Sequence, residues 1–222
     1  MAFNSVRRAQ DLVPTRHVII STYDKTGLAE LVRGMAASCP GLCVYSTGGT
    51  YDCLANVRGF ELIKISDYTG QGEMKGGLVK TLDWKIYLGI LAEPGDANHA
   101  ADLARSGAVA FDMVVANLYP FVEAAADASA TPESLRQNID IGGPSMLRAA
   151  AKNYLRVASV SSPAQYGAVA EELRAAGGHT SLETRRWLAV ETFALVSRFD
   201  AAVSARIGGL DAAAVAASYG LE

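Results

Sequence analysis

The sequence predicts a three-layer α/β fold, a mainly parallel sheet with helices on both faces, followed by C-terminal helices. Three observations predict it. Short apolar runs recur at 17–22, 42–45 and 111–117, the first of them rich in β-branched residues. Segments with apolar residues at helical spacing lie between them, and such alternation favours parallel strands joined by crossover helices. From Ala164 onward the pattern is helical.

The elements follow in order. Residues 17–22 read as a buried strand and 28–37 as a helix. A second strand covers 42–45, a second helix 50–57, and a short third strand 62–65. Residues 66–84 are glycine-rich and aperiodic, a long loop of the kind that is usually functional. The apolar run 86–91 reads as a strand, 97–106 as a helix, and 111–117 as the clearest buried strand. The alanine-rich stretch 124–130 is a loop or a short helix. Thr131 before Pro132 caps a further helix. Pro144 opens another, and 156–161 is the last strand. Ser181 begins a long helix that reaches about Ile207. Beyond Gly208 and Gly209 an alanine-rich helical tail is expected. The domain reading is a flexible N-terminal arm over 1–15 and a single domain over 16–222.

Bulk properties bound the function. Half of the 222 residues are hydrophobic, which suffices for a sizeable core. The net charge of −3 gives no reason to expect nucleic-acid binding. No apolar run reaches the roughly 20 residues that span a bilayer, and no secretory signal is legible in the first residues. A cytoplasmic protein is the expectation. Cys39, Cys43 and Cys53 lack paired spacing and nearby histidines, so zinc is not expected and free thiols are. His17, His99 and His179 show no pairing that suggests a ligand or base. Trp84, Trp187 and Phe193 are expected to pack, and 183–186 to be a solvated helix face.

The most informative stretch is 138–153, where Asp140 and Ile141 precede the pair Gly142-Gly143 and Pro144 opens a helix. Free N–H groups at such a start suit a phosphate or a developing oxyanion. Two loops, 23–27 and 46–50, each follow a strand and open a helix. They offer Lys25 and Thr26, then Thr47, Gly49 and Thr50, to a ligand beyond the carboxyl ends of the strands. Asn117 and Tyr119 leave the strongest strand at its carboxyl end.

These segments, with Val79-Lys80-Thr81-Leu82, are similar in order and spacing to the inosine monophosphate cyclohydrolase domain. That domain is the N-terminal part of the bifunctional enzyme that completes purine synthesis. The resemblance covers about residues 16–206. It implies a methylglyoxal synthase-like fold and ring closure of 5-formamidoimidazole-4-carboxamide ribonucleotide to inosine monophosphate, with loss of water. It implies that Lys80, Asp140, Lys152 and Tyr119 are catalytic. Lys25, Thr26, Thr47, Gly49, Thr50, Thr81, Asn117, Ile141 and Gly142 would bind substrate. Lys80 and the N–H groups of 141–143 would stabilise the oxyanion, Asp140 would accept or orient the amide proton, and Lys152 or Tyr119 would protonate the departing hydroxyl. From helix geometry alone, Lys152 lies about 12 Å beyond Pro144. No metal or redox cofactor is needed for this reaction.

The chain departs from the family at three places. Tyr23 stands where serine is usual, Leu78 replaces an arginine, and Asp83-Trp84 replaces His-Pro. The arginine's loss removes a bidentate anion donor, and Asp83 adds a negative charge nearby. These changes favour the main alternative, a non-enzymatic purine-nucleotide-binding regulatory module of the same fold. Methylglyoxal synthase is a further rival with less support. A chain of 222 residues is expected to hold only the cyclohydrolase-like domain and not a formyl-transferring one. The expected partners are therefore a small-molecule nucleotide, a separate formyltransferase that supplies it, and a possible homodimer mate. Nucleic acid and membrane are not expected.

Overall fold

The computed structural model describes residues 6–72, 79–127 and 129–220. In chain order the elements are β1 (Val13–Pro14), β2 (His17–Ser21), α1 (Leu28–Ser38), β3 (Cys43–Ser46), α2 (Gly48–Leu54), β4 (Glu61–Lys64) and α3 (Ile65–Thr69). Then come α4 (Trp84–Leu91), α5 (Ala97–Ser106), β5 (Met113–Ala116), α6 (Phe121–Ala126), α7 (Pro132–Gln137) and α8 (Gly142–Lys152). The chain continues through β6 (Ala158–Val160), α9 (Tyr166–Ala175), β7 (His179–Thr180), α10 (Leu182–Gly208) and α11 (Ala212–Tyr219).

Five parallel strands form the central sheet in the order β4-β3-β2-β5-β6. Val18, Ile19 and Ile20 of β2 are wholly buried because the sheet is covered on both faces. Val18 and Ile20 join a core with Leu28, Leu31, Val32 and Met35 of α1 and Val169 and Leu173 of α9. The α1 residues recur at i, i+3, i+4 and i+7, one helix face. Ile19, pointing the other way, packs with Ile86 and Ile90 of α4 and Met146 and Leu147 of α8. The predicted α/β class and parallel sheet are found. The chain steps from β2 outward through β3 to β4 and then returns to β5 on the other side of β2. A crevice opens where order reverses, beyond the carboxyl ends of β2 and β5.

Several expectations are corrected. The run 86–91 is not a strand but most of α4, and Asp83 caps it by accepting the Lys85 N–H at 2.7 Å. The long loop 66–84 begins with a helix, α3. The face expected to be solvated at 183–186 includes Arg185, which is fully buried. Its guanidinium donates to the carbonyls of Gln10 (2.9 Å), Asp11 (3.0 Å), Tyr154 (3.0 Å) and Leu155 (3.2 Å), and to that of Thr180. A buried cation is tolerable when its donors are used in this way. The same contacts hold down part of the expected arm 1–15. Val13 pairs with Thr180 and Pro14 with His179, so residues 10–15 belong to the folded unit. Trp84, expected to pack, is 73% exposed, and Trp187 and Phe193 are also exposed. The three cysteines are free thiols. Among the described residues no helix is long and apolar enough to cross a membrane.

Candidate active site

A cavity of about 410 Å³ lies in the crevice beyond β2, β3 and β5. Its lining includes Lys25, Thr47, Gly49, Thr50, Lys80, Thr81, Asn117, Tyr119, Asp140, Ile141 and Gly142. Of the predicted site residues, Thr26 and Lys152 do not line it. The Thr26 N–H donates to Asp24 Oδ1 at 2.9 Å within its own loop, and the residue is exposed. Lys152 is exposed at the far end of α8.

The loops are tied together from below. Thr50 Oγ1 donates to Thr22 O (3.0 Å) and accepts from Thr22 N–H (3.2 Å), so it joins the start of α2 to the end of β2. The Ser21 and Thr47 hydroxyls meet at 3.2 Å. Lys25 folds back toward the Thr22 and Tyr23 carbonyls, at 3.4 and 3.2 Å. The Asn117 carboxamide is a staple. Its Oδ1 accepts from Tyr23 N–H (2.7 Å) and Asp24 N–H (2.9 Å), and its Nδ2 donates to Asp24 O (2.7 Å). Asn117 therefore positions the Tyr23 loop and has little capacity left for a ligand.

Lys80 comes from the segment before α4 and brings its Nζ close to the start of α2: a Cβ at Gly48 would lie 3.3 Å from it. Val79, directly before Lys80, has φ of 66°, a strained conformation for a β-branched residue. Thr81 lies against the glycine turn, since a Cβ at Gly142 would come 3.0 Å from its Oγ1. Asp83 is spent on capping α4, which accounts for its carboxylate. It lines a side chamber of about 240 Å³ that shares Thr47, Val79, Lys80 and Leu82 with the main cavity. Leu78 lies outside the described residues.

Among the described residues, Asp140 is the acidic residue of the main cavity lining. Its Oδ1 accepts the Gly143 N–H at 2.9 Å. Burial pushes its carboxyl above the ordinary carboxylate value, while the Gly143 and Tyr119 N–H groups pull it partly back. Because Gly143 N–H serves Asp140, the Ile141 and Gly142 N–H groups remain as candidate oxyanion donors. A Cβ at Gly143 would fall 2.5 Å from Asp140 Oδ2 and 3.0 Å from Leu118 Cδ2, so a side chain there would displace the Asp140 carboxylate.

Sequence reasoning missed Ser21, Thr22, Val79, Leu82, Gln137 and Ile139, which also line the cavity. Ser21 and Thr22 had a usable signal, as they end a predicted strand on its carboxyl side. Gln137 and Ile139 had none. Among the described residues one other cluster, Glu93, Asp96 and His99, brings potential metal-ligand atoms within 4.8 Å of one another. It does not line this cavity, and Asp96 Oδ1 already caps α5 through the Asn98 and His99 N–H groups.

Two family models match the chain, the MGS-like domain over residues 27–145 and the AICARFT/IMPCHase bienzyme over residues 150–219. Curated relatives are described as bifunctional purine biosynthesis protein PurH. The one from Rhodopirellula baltica is 43% identical over 194 residues, covering 87% of this chain and 36% of the relative. That from Chlorobium chlorochromatii is 41% identical over 203 residues, 91% of this chain and 38% of the relative. The chain thus spans little more than a third of the length of these relatives. Among solved structures, the crystal structure of ForH matches with a TM-score of 0.74 and 31% identity, covering 87% of this chain and 99% of that one.

Proposed function

The chain belongs to the MGS-like domain family, and from that premise we propose that it is an inosine monophosphate cyclohydrolase. The observation that carries the reading is the convergence in one cavity of Lys80, Asp140, Tyr119 and the Gly142 turn with two hydroxyl-bearing loops. The family models and the PurH relatives support purine biosynthesis as the setting.

The reaction joins two groups of one molecule. The carboxamide nitrogen of 5-formamidoimidazole-4-carboxamide ribonucleotide attacks its formyl carbon, a C–N bond forms, and the carbonyl oxygen becomes an alkoxide. Water then leaves, carrying that oxygen, and the pyrimidine ring is complete. Holding the two groups in contact supplies much of the acceleration. Lys80 and the Ile141 and Gly142 N–H groups face the developing charge. Asp140, its proton affinity raised by burial, accepts the amide proton. Asp140 returns that proton to the alkoxide, Tyr119 protonates the resulting hydroxyl as it departs, and the phenolate takes the formamido N–H proton as the ring C=N bond forms. Lys152 has no part in this scheme, because it lies at the far end of α8. Lys25 and the hydroxyls of Thr47 and Ser21 take the phosphate at the carboxyl ends of β2 and β3.

The test is to supply the formylated ribonucleotide to the purified chain and follow purine formation by ultraviolet absorbance. Ring closure above the uncatalysed rate supports the reading. Nucleotide binding without turnover would leave a regulatory module instead.

A further inference from the structure

The cavity has buried polar walls and an exposed apolar mouth. Thr22, Thr47, Thr50 and Thr81 are buried. Tyr23, Tyr119 and Ile141 remain 54%, 46% and 58% exposed while lining the same space. Leaving three large side chains half in water at one opening forfeits their burial, unless something covers them.

Tyr23 and Tyr119 come from different loops, after β2 and after β5. Their ring centroids lie 5.4 Å apart at 84°, edge to face. Asn117 fixes this arrangement, because it precedes Tyr119 on one loop and binds the Tyr23 and Asp24 backbone on the other. The pair is therefore preorganised by main-chain anchoring and not by mutual burial. A flat ring lying face-on against one tyrosine would meet the edge of the other, both favoured aromatic geometries.

Resting on the nucleotide reading above, we infer that Tyr23, together with Tyr119, forms an aromatic wall that recognises the heteroaromatic ring of the bound nucleotide. Tyr23 is then a specificity-determining residue. It selects ligands that carry a flat ring on a phosphorylated sugar over those with the sugar phosphate alone. The buried hydroxyls and Lys25 bind the anionic end, which both kinds of ligand share.

Calorimetry with two ligands, inosine monophosphate and ribose 5-phosphate, tests this. Tyr23→Ser and Tyr23→Leu both remove the π-face, the second keeping apolar bulk; Tyr23→Phe keeps the ring. Both ring-less variants should bind inosine monophosphate about five- to 150-fold more weakly, the range a base–aromatic stack is worth. Their affinity for ribose 5-phosphate should be unchanged, and Tyr23→Phe should stay within about two-fold of wild type for both ligands. The inference is overturned if Tyr23→Leu binds inosine monophosphate as wild type does, or if it loses both ligands equally. Wild-type protein that binds neither ligand would instead overturn the nucleotide reading, and the wall with it.

Discussion

Replacing Asp140 with asparagine should remove most turnover and leave the fold intact. The amide oxygen of asparagine can accept the Gly143 N–H that Asp140 Oδ1 accepts at 2.9 Å, so the start of α8 is preserved. What disappears is the ability to take a proton. A general base contributes roughly 10²–10⁴-fold, which is about 3–5 kcal/mol of transition-state stabilisation. The pH dependence carries a second signature. Burial raises the Asp140 carboxyl above its ordinary value of 3.8. In wild type, kcat/KM should therefore fall with acidity at a higher pH than a free carboxylate would dictate. In Asp140→Asn that limb should vanish from the residual rate. Stability gives a third. A carboxyl with a raised folded-state pKa stabilises the fold fully below its unfolded value and loses that contribution as pH rises through the folded one. At neutral pH the ionised Asp140 is a net cost, so the asparagine variant should melt no lower than wild type. The assay is absorbance-monitored ring closure across the acid range, with thermal melts alongside. A variant that keeps turnover within a few-fold of wild type and retains the acid limb would refute the base assignment.

Other predictions follow from the same geometry. Lys80→Ala should weaken inosine monophosphate binding and ring closure by about 10- to 100-fold, the worth of a charged hydrogen bond; unchanged calorimetry and kcat would mean Lys80 does not face the ligand. Gly143→Ala should lower kcat by more than about ten-fold with an unchanged circular dichroism spectrum, because its Cβ would displace the Asp140 carboxylate, 2.5 Å away. Wild-type kcat in that variant would show that the carboxylate's position is not critical. Arg185→Met strands carbonyls from three parts of the chain and should cost about 3–5 kcal/mol. For a chain of this size that lowers Tm by roughly 6–20 °C. A Tm within about 2 °C of wild type would show that the Arg185 bonds to Gln10, Asp11, Tyr154 and Thr180 contribute nothing net.

The sequence by itself determined the layout that makes a site possible. The buried strands at β2, β3 and β5 were legible as short apolar runs. Thr131 and Ser181 announced the starts of α7 and α10; Thr131 caps as read, and Ser181 also caps. The loops after β2, β3 and β5 carried their polar residues openly, and all three line the cavity. Where local signals were ambiguous or silent, the tertiary structure decided. The apolar run of α4 has no periodicity that separates strand from helix. The Asp83 cap and burial of Ile86 and Ile90 against α8 select the helix. Arg185 and Arg186 are indistinguishable neighbours in sequence. Docking of residues 10–15 and of the turn before β6 makes one of them a buried hub and leaves the other exposed. The family resemblance put Asn117 at the ligand, and it does line the cavity. Only the return of the chain across the sheet brings it to the Tyr23 loop, 94 residues away, where its hydrogen bonds are spent. Periodicity, caps and turns report on neighbours within a turn or two of chain. Pairing across the switch point of the sheet depends on how the whole chain closes, and there the side chains find their partners.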